Sequence, residues 1–209
     1  MSHLKRLAAP KTWTLHKKER TFVIKTSPGT HKIKASMPLA LWLKNLELTK
    51  NAKETKAILN QIKIDNKKVT DPAFPVGYQD LLTIGNTTYQ IKYNTLGKLE
   101  PIKTENKEKI CKITGKTTAR AKTILYLHDG RTIETDNKEY NTGESIIITL
   151  PEQKIVKHIK LNTGTKIAII GGKNIGHEGT IKQVKGDKII YESDNKTSET
   201  TKEYAYAIP

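Results

Sequence analysis

The chain has 209 residues, and its 37 Lys and Arg against 21 Asp and Glu leave a formal net charge of +16, with an isoelectric point near 9.7. A charge of that size repels itself unless a polyanion neutralises it, which points first to nucleic acid. Binding to a membrane surface needs a broad amphipathic helix or a lipid anchor and spanning one needs a long apolar run; none is found, and the basic, Pro10-interrupted start is no secretory leader, so the protein is expected to stay in the cytoplasm.

The first 34 residues contain Lys5, Arg6, Lys11, Lys17, Lys18, Arg20, Lys25, Lys32 and Lys34 against Glu19, so 9 − 1 = +8, half of the net charge. Pro10, Pro28 and Gly29 interrupt this segment and no hydrophobic period is sustained. It reads as an extended arm without a core of its own, mobile until it folds against a partner. Two helices follow. Pro38 opens the first, which runs to Asn45. Asn51 and Glu54 have capping-box spacing at the start of the second, where Ala52, Thr55, Ile58 and Leu59 share an apolar face and Lys53, Lys56 and Asn60 the opposite one.

Beyond this point the period changes to two. Ile62 and Ile64 precede Asp65-Asn66, Leu82 and Ile84 precede Gly85-Asn86, and Thr87, Tyr89, Ile91 and Tyr93 alternate, so these are strands. From residue 118 onward the pattern is almost wholly β. A hairpin is expected around Asp129-Gly130, flanked by AKTILYL and RTIET. Strands are then expected at Ser145–Thr149, Ile155–Leu161, Thr165–Ile170, Thr180–Val184 and Lys188–Glu192, a spacing that suits small barrels. From Gly186 the charge reverses, with three lysines against five acids, 3 − 5 = −2, so the C-terminal end should face away from a polyanion.

Signs of catalysis are weak. Gly115-Lys116-Thr117 lacks the glycine a phosphate-binding loop needs five positions before the Gly-Lys pair, since Ile110 stands there. The Gly171–Gly176 loop lies between strands, without the helix N-terminus that holds a nucleotide phosphate. Cys111 is alone, can close no internal disulfide, and is expected to be a small buried hydrophobe. His3, His16, His31, His128, His158 and His177 show neither metal-ligand spacing nor a neighbouring catalytic carboxylate, and are expected at the surface or on RNA. No enzyme, cofactor, metal or small-molecule substrate is expected.

The block from Met37 to Ile84 has two short helices, then IKIDNKKV, a loop TDPAFP and VGYQDLLTI. It resembles the S-four RNA-binding domain, with a strand-turn element at IKIDNKKV and a G-x-x-D element at Gly77-Tyr78-Gln79-Asp80. An ordinary α+β core with solvated lysines would show the same helix pattern. The block Gly164–Val184, GTKIAIIGGKNIGHEGTIKQV, resembles the KOW element, with glycines at its turns and Ile167, Ile169, Ile181 and Val184 filling a small barrel. Together with His3-Leu-Lys-Arg-Leu-Ala-Ala-Pro-Lys11, Trp13, Ser27-Pro-Gly and His31-Lys32, these blocks make the chain similar to the archaeal and eukaryotic small-subunit ribosomal protein S-four-e family. Thr30 stands where the family has proline, and Asn66 where it has glycine.

The resemblance implies an α+β, mostly β fold in four parts: a basic extension over 1–36, an S-four-type domain over 37–100, a central β module over 101–160 and a KOW, SH3-like barrel over 161–209. It implies a structural constituent of the small ribosomal subunit that binds that subunit's rRNA through phosphate and shape, beside other small-subunit proteins. The RNA-facing residues expected are Lys5, Arg6, Lys11, Trp13, Lys17, Lys18, Arg20, His31, Lys32 and Lys34 of the arm, Lys44, Lys53 and Lys56 of the helices, and Lys173 and His177 of the KOW loop. The alternative is an RNA-binding regulator of transcription outside the ribosome, since KOW elements also occur there.

Overall fold

Both expected helices form, and local chemistry explains where they begin. Pro38 precedes the first, α1 (Leu39–Asn45), where its fixed φ suits a helix entry and its missing N–H leaves no donor unpaired. Asn51 and Glu54 cap the second, α2 (Ala52–Ile58), with Glu54 Oε2 accepting the backbone N–H groups of Lys50 at 2.7 Å and Asn51 at 3.4 Å. Those bonds, Lys50's first, hold the Glu54 carboxyl below its usual range. The computed structural model describes residues 4–106, 108–119, 122–137, 139–193 and 196–209, so His3 and Ala121 of the expectations above lie outside the described residues. Among these, no helix is long and apolar enough to cross a membrane.

The chain divides into two compact units, Met1–Lys92 with Lys98–Asn106, and Tyr93–Gly97 with Lys107–Pro209. The first contains β1 (Leu4–Lys5), β2 (Phe22–Val23), β3 (Ser36–Pro38), β4 (Ile62–Ile64), β5 (Lys67–Lys68), β6 (Pro75–Gly77), β7 (Leu81–Ile84), β8 (Thr87–Tyr93) and β9 (Leu99–Lys103). Its main sheet is antiparallel in the order β5-β4-β7-β8-β9, while β1 pairs with β2 and β3 with β6. Asp65 and Asn66 both take positive φ in the two-residue turn from β4 to β5, as a hairpin of this length requires, so asparagine serves where the family has glycine. The expected apolar face of α2 is narrower than periodicity implied. Thr55 and Leu59 are buried, Ile58 is half-buried and Ala52 is exposed, because a helix of two turns lays only its C-terminal half on the core.

The arm departs most from expectation. Trp13 is 1% exposed, and its indole N–H donates to the Ser36 carbonyl at 2.6 Å. The Thr12 carbonyl accepts the Leu99 N–H at 2.9 Å and the Thr14 hydroxyl donates to the Leu99 carbonyl at 2.8 Å, so β9 grips the chain on either side of the buried ring. Thr30 donates to the Pro75 carbonyl, which gives the residue replacing proline a bond of its own. The arm is thus a folded part of the first unit rather than a mobile extension, and it borrows the core of the helix-pair domain.

The second unit holds β10 (Glu108–Ala119), β11 (Lys122–Leu127), β12 (Thr132–Thr135), β13 (Ser145–Thr149), β14 (Ile155–Ile159), β15 (Lys166–Ile169), β16 (Glu178–Lys185), β17 (Lys188–Ser193), β18 (Lys196–Thr201) and β19 (Ala205–Ala207). They form two antiparallel sheets, β12-β11-β10-β13-β14 and β18-β17-β16-β15-β19. One core joins both, since Ile147 and Ile159 of the first pack with Ile167, Ile169, Ile181 and Ile189 of the second. The Lys112 ammonium donates to the carbonyls of Lys202, Glu203 and Ala205 at 2.6–2.8 Å, and the Tyr206 hydroxyl to the Ile110 carbonyl at 2.6 Å. The stretches 101–160 and 161–209 therefore meet in a shared interior. Val184 does not fill it as expected. A register shift between Ile181 and Gln183 sets Val184 opposite buried Ile189, on the same face of the sheet, but one residue from the strand end it stays 37% exposed and only borders the interior.

Candidate nucleic-acid interface

In the first unit the arm and the helix pair enclose a cleft of about 690 Å³. Leu15, Phe22, Val23, Ala40 and Leu41 contribute apolar surface, and Arg6, Arg20, Lys44, Lys50, Lys56 and Lys98 contribute cations against Glu19, so 6 − 1 = +5. Each element has a reason to present its residue there. Phe22 lies on the β1–β2 pair and is 53% exposed, while Lys44 and Lys56 occupy the last turns of α1 and α2, where a cation complements the helix C-terminus. Arg6 is mostly covered; its guanidinium donates to the His16 carbonyl at 2.6 Å and to Glu19 at 2.8 Å. Among the described residues, the only carboxylate lining the cleft is thereby paired from within the arm.

The expected RNA-facing residues divide into two groups. Lys5, Lys11, Lys18, Arg20, Lys32, Lys34, Lys44, Lys53 and Lys56 of the first unit are exposed, as is Lys173 of the second, and His177 is half-buried. Four others make bonds within the first unit. Trp13 anchors the arm, Arg6 braces it, and the Lys17 ammonium donates to the Ala9 carbonyl at 2.8 Å. His31 is the fourth. Its Nε2 lies 2.9 and 3.0 Å from the two oxygens of Asp80, which also accepts the Gly77 N–H at 2.8 Å. A Cβ on Gly77 would lie 2.7 Å from the His31 ring, so the G-x-x-D element is a seat for this histidine. His158 likewise pairs with Glu144 at 2.7 Å. Sequence spacing missed both pairs because the partners lie far apart or on separate strands. It missed Phe22, Lys50 and Lys98 of the cleft as well; Phe22, an aromatic in a basic, core-free segment, carried the one available signal.

Two glycines of the KOW loop are set by close packing. A Cβ on Gly176 would collide with the Asn94 carbonyl, and one on Gly171 with the Tyr204 ring, so these glycines fit the loop to its own unit. Gly115-Lys116-Thr117 lies in extended β10 opposite Tyr126, Leu125 and Ile124, a geometry that cannot wrap a phosphate. Cys111, His128 and Asp129 place a sulfur, a ring nitrogen and a carboxylate oxygen within 4.8 Å of one another, a grouping that hairpin pairing creates and linear spacing hides. It does not suit a cation. Lys109 and Arg131 each lie 3.0 Å from the Asp129 carboxylate, and the His128 Nδ1 faces the Lys112 N–H at 3.3 Å. Burial raises the Asp129 pKa, but Lys109, His128 and Arg131 together bring it below the usual carboxylate range.

A family model described as "Ribosomal family S4e" matches residues 85–155, and one described as the "RS4NT (NUC023) domain" matches residues 2–34. "Small ribosomal subunit protein eS4" of Methanococcus vannielii is 36% identical over 227 residues, covering 99% of this chain and 93% of that protein. The chain belongs to this ribosomal protein family. Its relative of the same name in Methanosphaera stadtmanae is 36% identical over 221 residues, covering 99% of this chain and 91% of that protein. Among solved structures, the 30S ribosomal protein S4e from Thermoplasma acidophilum superimposes with a TM-score of 0.69 at 28% identity, covering 83% of this chain and 94% of that one. The match over 2–34 treats the arm as a domain, which agrees with its buried tryptophan.

Proposed function

We propose that this chain is a structural constituent of the small ribosomal subunit in the cytoplasm, that it binds the subunit's rRNA beside neighbouring ribosomal proteins, and that it catalyses no reaction. Membership in a family whose members carry the small-subunit name over their whole length supports the assembly role. The observation that supports the RNA role is the exposed cation set of the first unit, of which Arg20, Lys44, Lys50 and Lys56 line the cleft, beside Arg6, Lys17 and His31, which bond within the protein. These cations need no folding role to remain there, and a phosphate backbone supplies the missing counter-charge.

The test is a titration of the full chain with small-subunit rRNA at several salt concentrations. Each neutralised phosphate adds about 0.7–0.9 to the slope of log affinity against log salt. Lys53→Ala and Lys56→Ala should each lower that slope by about one while leaving the fold intact. A nearly flat salt response would refute the reading. Sedimentation separates it from the transcriptional alternative: migration with the small subunit supports the proposal, and migration with RNA polymerase supports the other.

A further inference from the structure

We infer that the outer edge of β18 takes an added β-strand from an extended, positively charged segment of a neighbouring small-subunit protein. The inference rests on the ribosomal role proposed above and names the surface and the kind of partner. Hydrogen-bond parity in the β17–β18 hairpin shows which groups face outward. The Lys202 N–H donates to the Asp187 carbonyl at 2.7 Å, just beyond the paired Lys188 and Thr201, so that pair is of the non-hydrogen-bonded kind. Alternation along the continuous register then points the N–H and C=O groups of Thr197, Glu199 and Thr201 away from β17. The Thr201 carbonyl accepts the Tyr204 N–H at 3.0 Å, but among the described residues no strand pairs with this side of β18, and all three residues are exposed.

In the described five-stranded sheets every other edge is blunted. β5 has two residues, β19 three and β12 four, β9 carries Pro101, which has no N–H to offer, and the register shift in β14 leaves Val156 as a bulge. β18 has six residues, no glycine or proline and an unshifted register. Its charges do not guard it either: Lys196 stands at its first residue, and Glu199 pairs with Lys188 at 2.7 Å. A strand edge left open in this way is a template for main-chain pairing with another chain. Charge selects the occupant. The stretch from Gly186 carries −2 in a chain of +16, and Asp187 and Glu203 stand exposed where β18 ends. RNA phosphates are repelled there and bring no strand to pair, and a second copy would set the acidic stretch against itself. Proteins bound to the same polyanion share the need for positive charge, so an extended basic segment of such a neighbour supplies both the main-chain partners and the counter-charge.

The test is hydrogen exchange, read residue by residue, on the full chain free, bound to small-subunit rRNA alone, and assembled in the small subunit. The Thr197 and Glu199 amides should exchange freely in the first two states and slow by at least about tenfold in the third, while those of Ser198 and Thr200, which face β17, change little. On the free chain, a synthetic peptide of alternating lysine and threonine at millimolar concentration should slow the same two amides, and its glutamate counterpart should not. Glu199→Pro removes one outward donor while leaving the bonds to β17 in place, and should abolish the effect of the peptide without changing rRNA affinity. Glu199→Lys, which keeps the donor, should reverse the preference towards the glutamate peptide. Amides that stay fast in the assembled subunit, slow on rRNA alone, or slow in the free chain as its concentration rises would each overturn the inference, the last two in favour of RNA and of a second copy. So would equal effects of the two peptides. In those cases a chain that still enters the subunit leaves the ribosomal reading standing; a chain that binds no rRNA and enters no subunit overturns that reading as well.

Discussion

Replacing Trp13 with alanine tests whether the arm is a folded element or a tether. The indole is 1% exposed and its N–H donates to the Ser36 carbonyl at 2.6 Å, on a residue that is itself fully buried. Truncating a core tryptophan costs about 3–5 kcal/mol through lost transfer energy and the cavity left behind. Depriving a buried carbonyl of its donor adds about 1–3 kcal/mol, and since the two overlap the sum should be about 4–6 kcal/mol. That is a large share of the roughly 5–15 kcal/mol that holds a domain together, so the first unit should sit close to its unfolding threshold. Trp13→Phe keeps most of the packing and loses only the hydrogen bond, for about 1–3 kcal/mol. Urea unfolding followed by circular dichroism measures both, and hydrogen exchange at the Leu99 amide, which bonds the Thr12 carbonyl at 2.9 Å, reports whether the arm has detached. A Trp13→Ala cost under about 0.5 kcal/mol, the range of ordinary surface changes, would refute the argument and restore the mobile arm.

In the second unit, Asp129→Asn should destabilise by about 3–5 kcal/mol in urea unfolding, because it takes a carboxylate away from the Lys109 ammonium, 0% exposed and 3.0 Å from it, and from Arg131. Gly176→Ala should cost at least about 1–3 kcal/mol on the same assay, since φ is +87° and the new Cβ meets the Asn94 carbonyl. Burial lowers the Lys112 pKa from 10.5 to about 8, so between these values the unfolded chain binds more protons and stability rises with pH, by up to about 3 kcal/mol. The parent minus Lys112→Met difference in unfolding free energy, followed from pH 7.5 to 11 on the two proteins side by side, should show that rise, and a flat difference would contradict it. Below about pH 8 the Met variant should still be the less stable, because three carbonyls lose a donor.

Local chemistry was legible in the sequence wherever one residue's covalent nature dictates a conformation. Pro38, the Asn51 and Glu54 cap, the Asp65-Asn66 turn and the Asp129-Gly130 hairpin all fall where short-range rules place them. The strand from Glu108 was missed for a physical reason. Lys109 and Lys112 read as solvent-facing residues that break an apolar alternation, yet both are buried, one beside Asp129 and one under three carbonyls of the turn before β19 and its first residue, some ninety residues further on. Their partners cannot be known before the fold is. The same limit applies to β19 at Ala205–Ala207, where two alanines flank Tyr206 and form a strand by pairing with the edge of β15.

The candidate interface divides along the same line. A lysine that remains in water follows composition, and nine of the arm and helix cations expected to face RNA are exposed. The four that bond inside the protein, Arg6, Trp13, Lys17 and His31, are residues that carry both a charge or polar tip and a large body. Such residues can bond RNA or bond the protein with equal chemical fitness, and only the tertiary partner decides. For the arm that partner is internal in all four cases, so the segment is packed into the first unit. A preordered segment loses less conformational entropy on binding than a tether does. On the proposed reading the exposed cations would meet RNA already ordered, the buried tryptophan holding the arm's charge in place beside the helix pair.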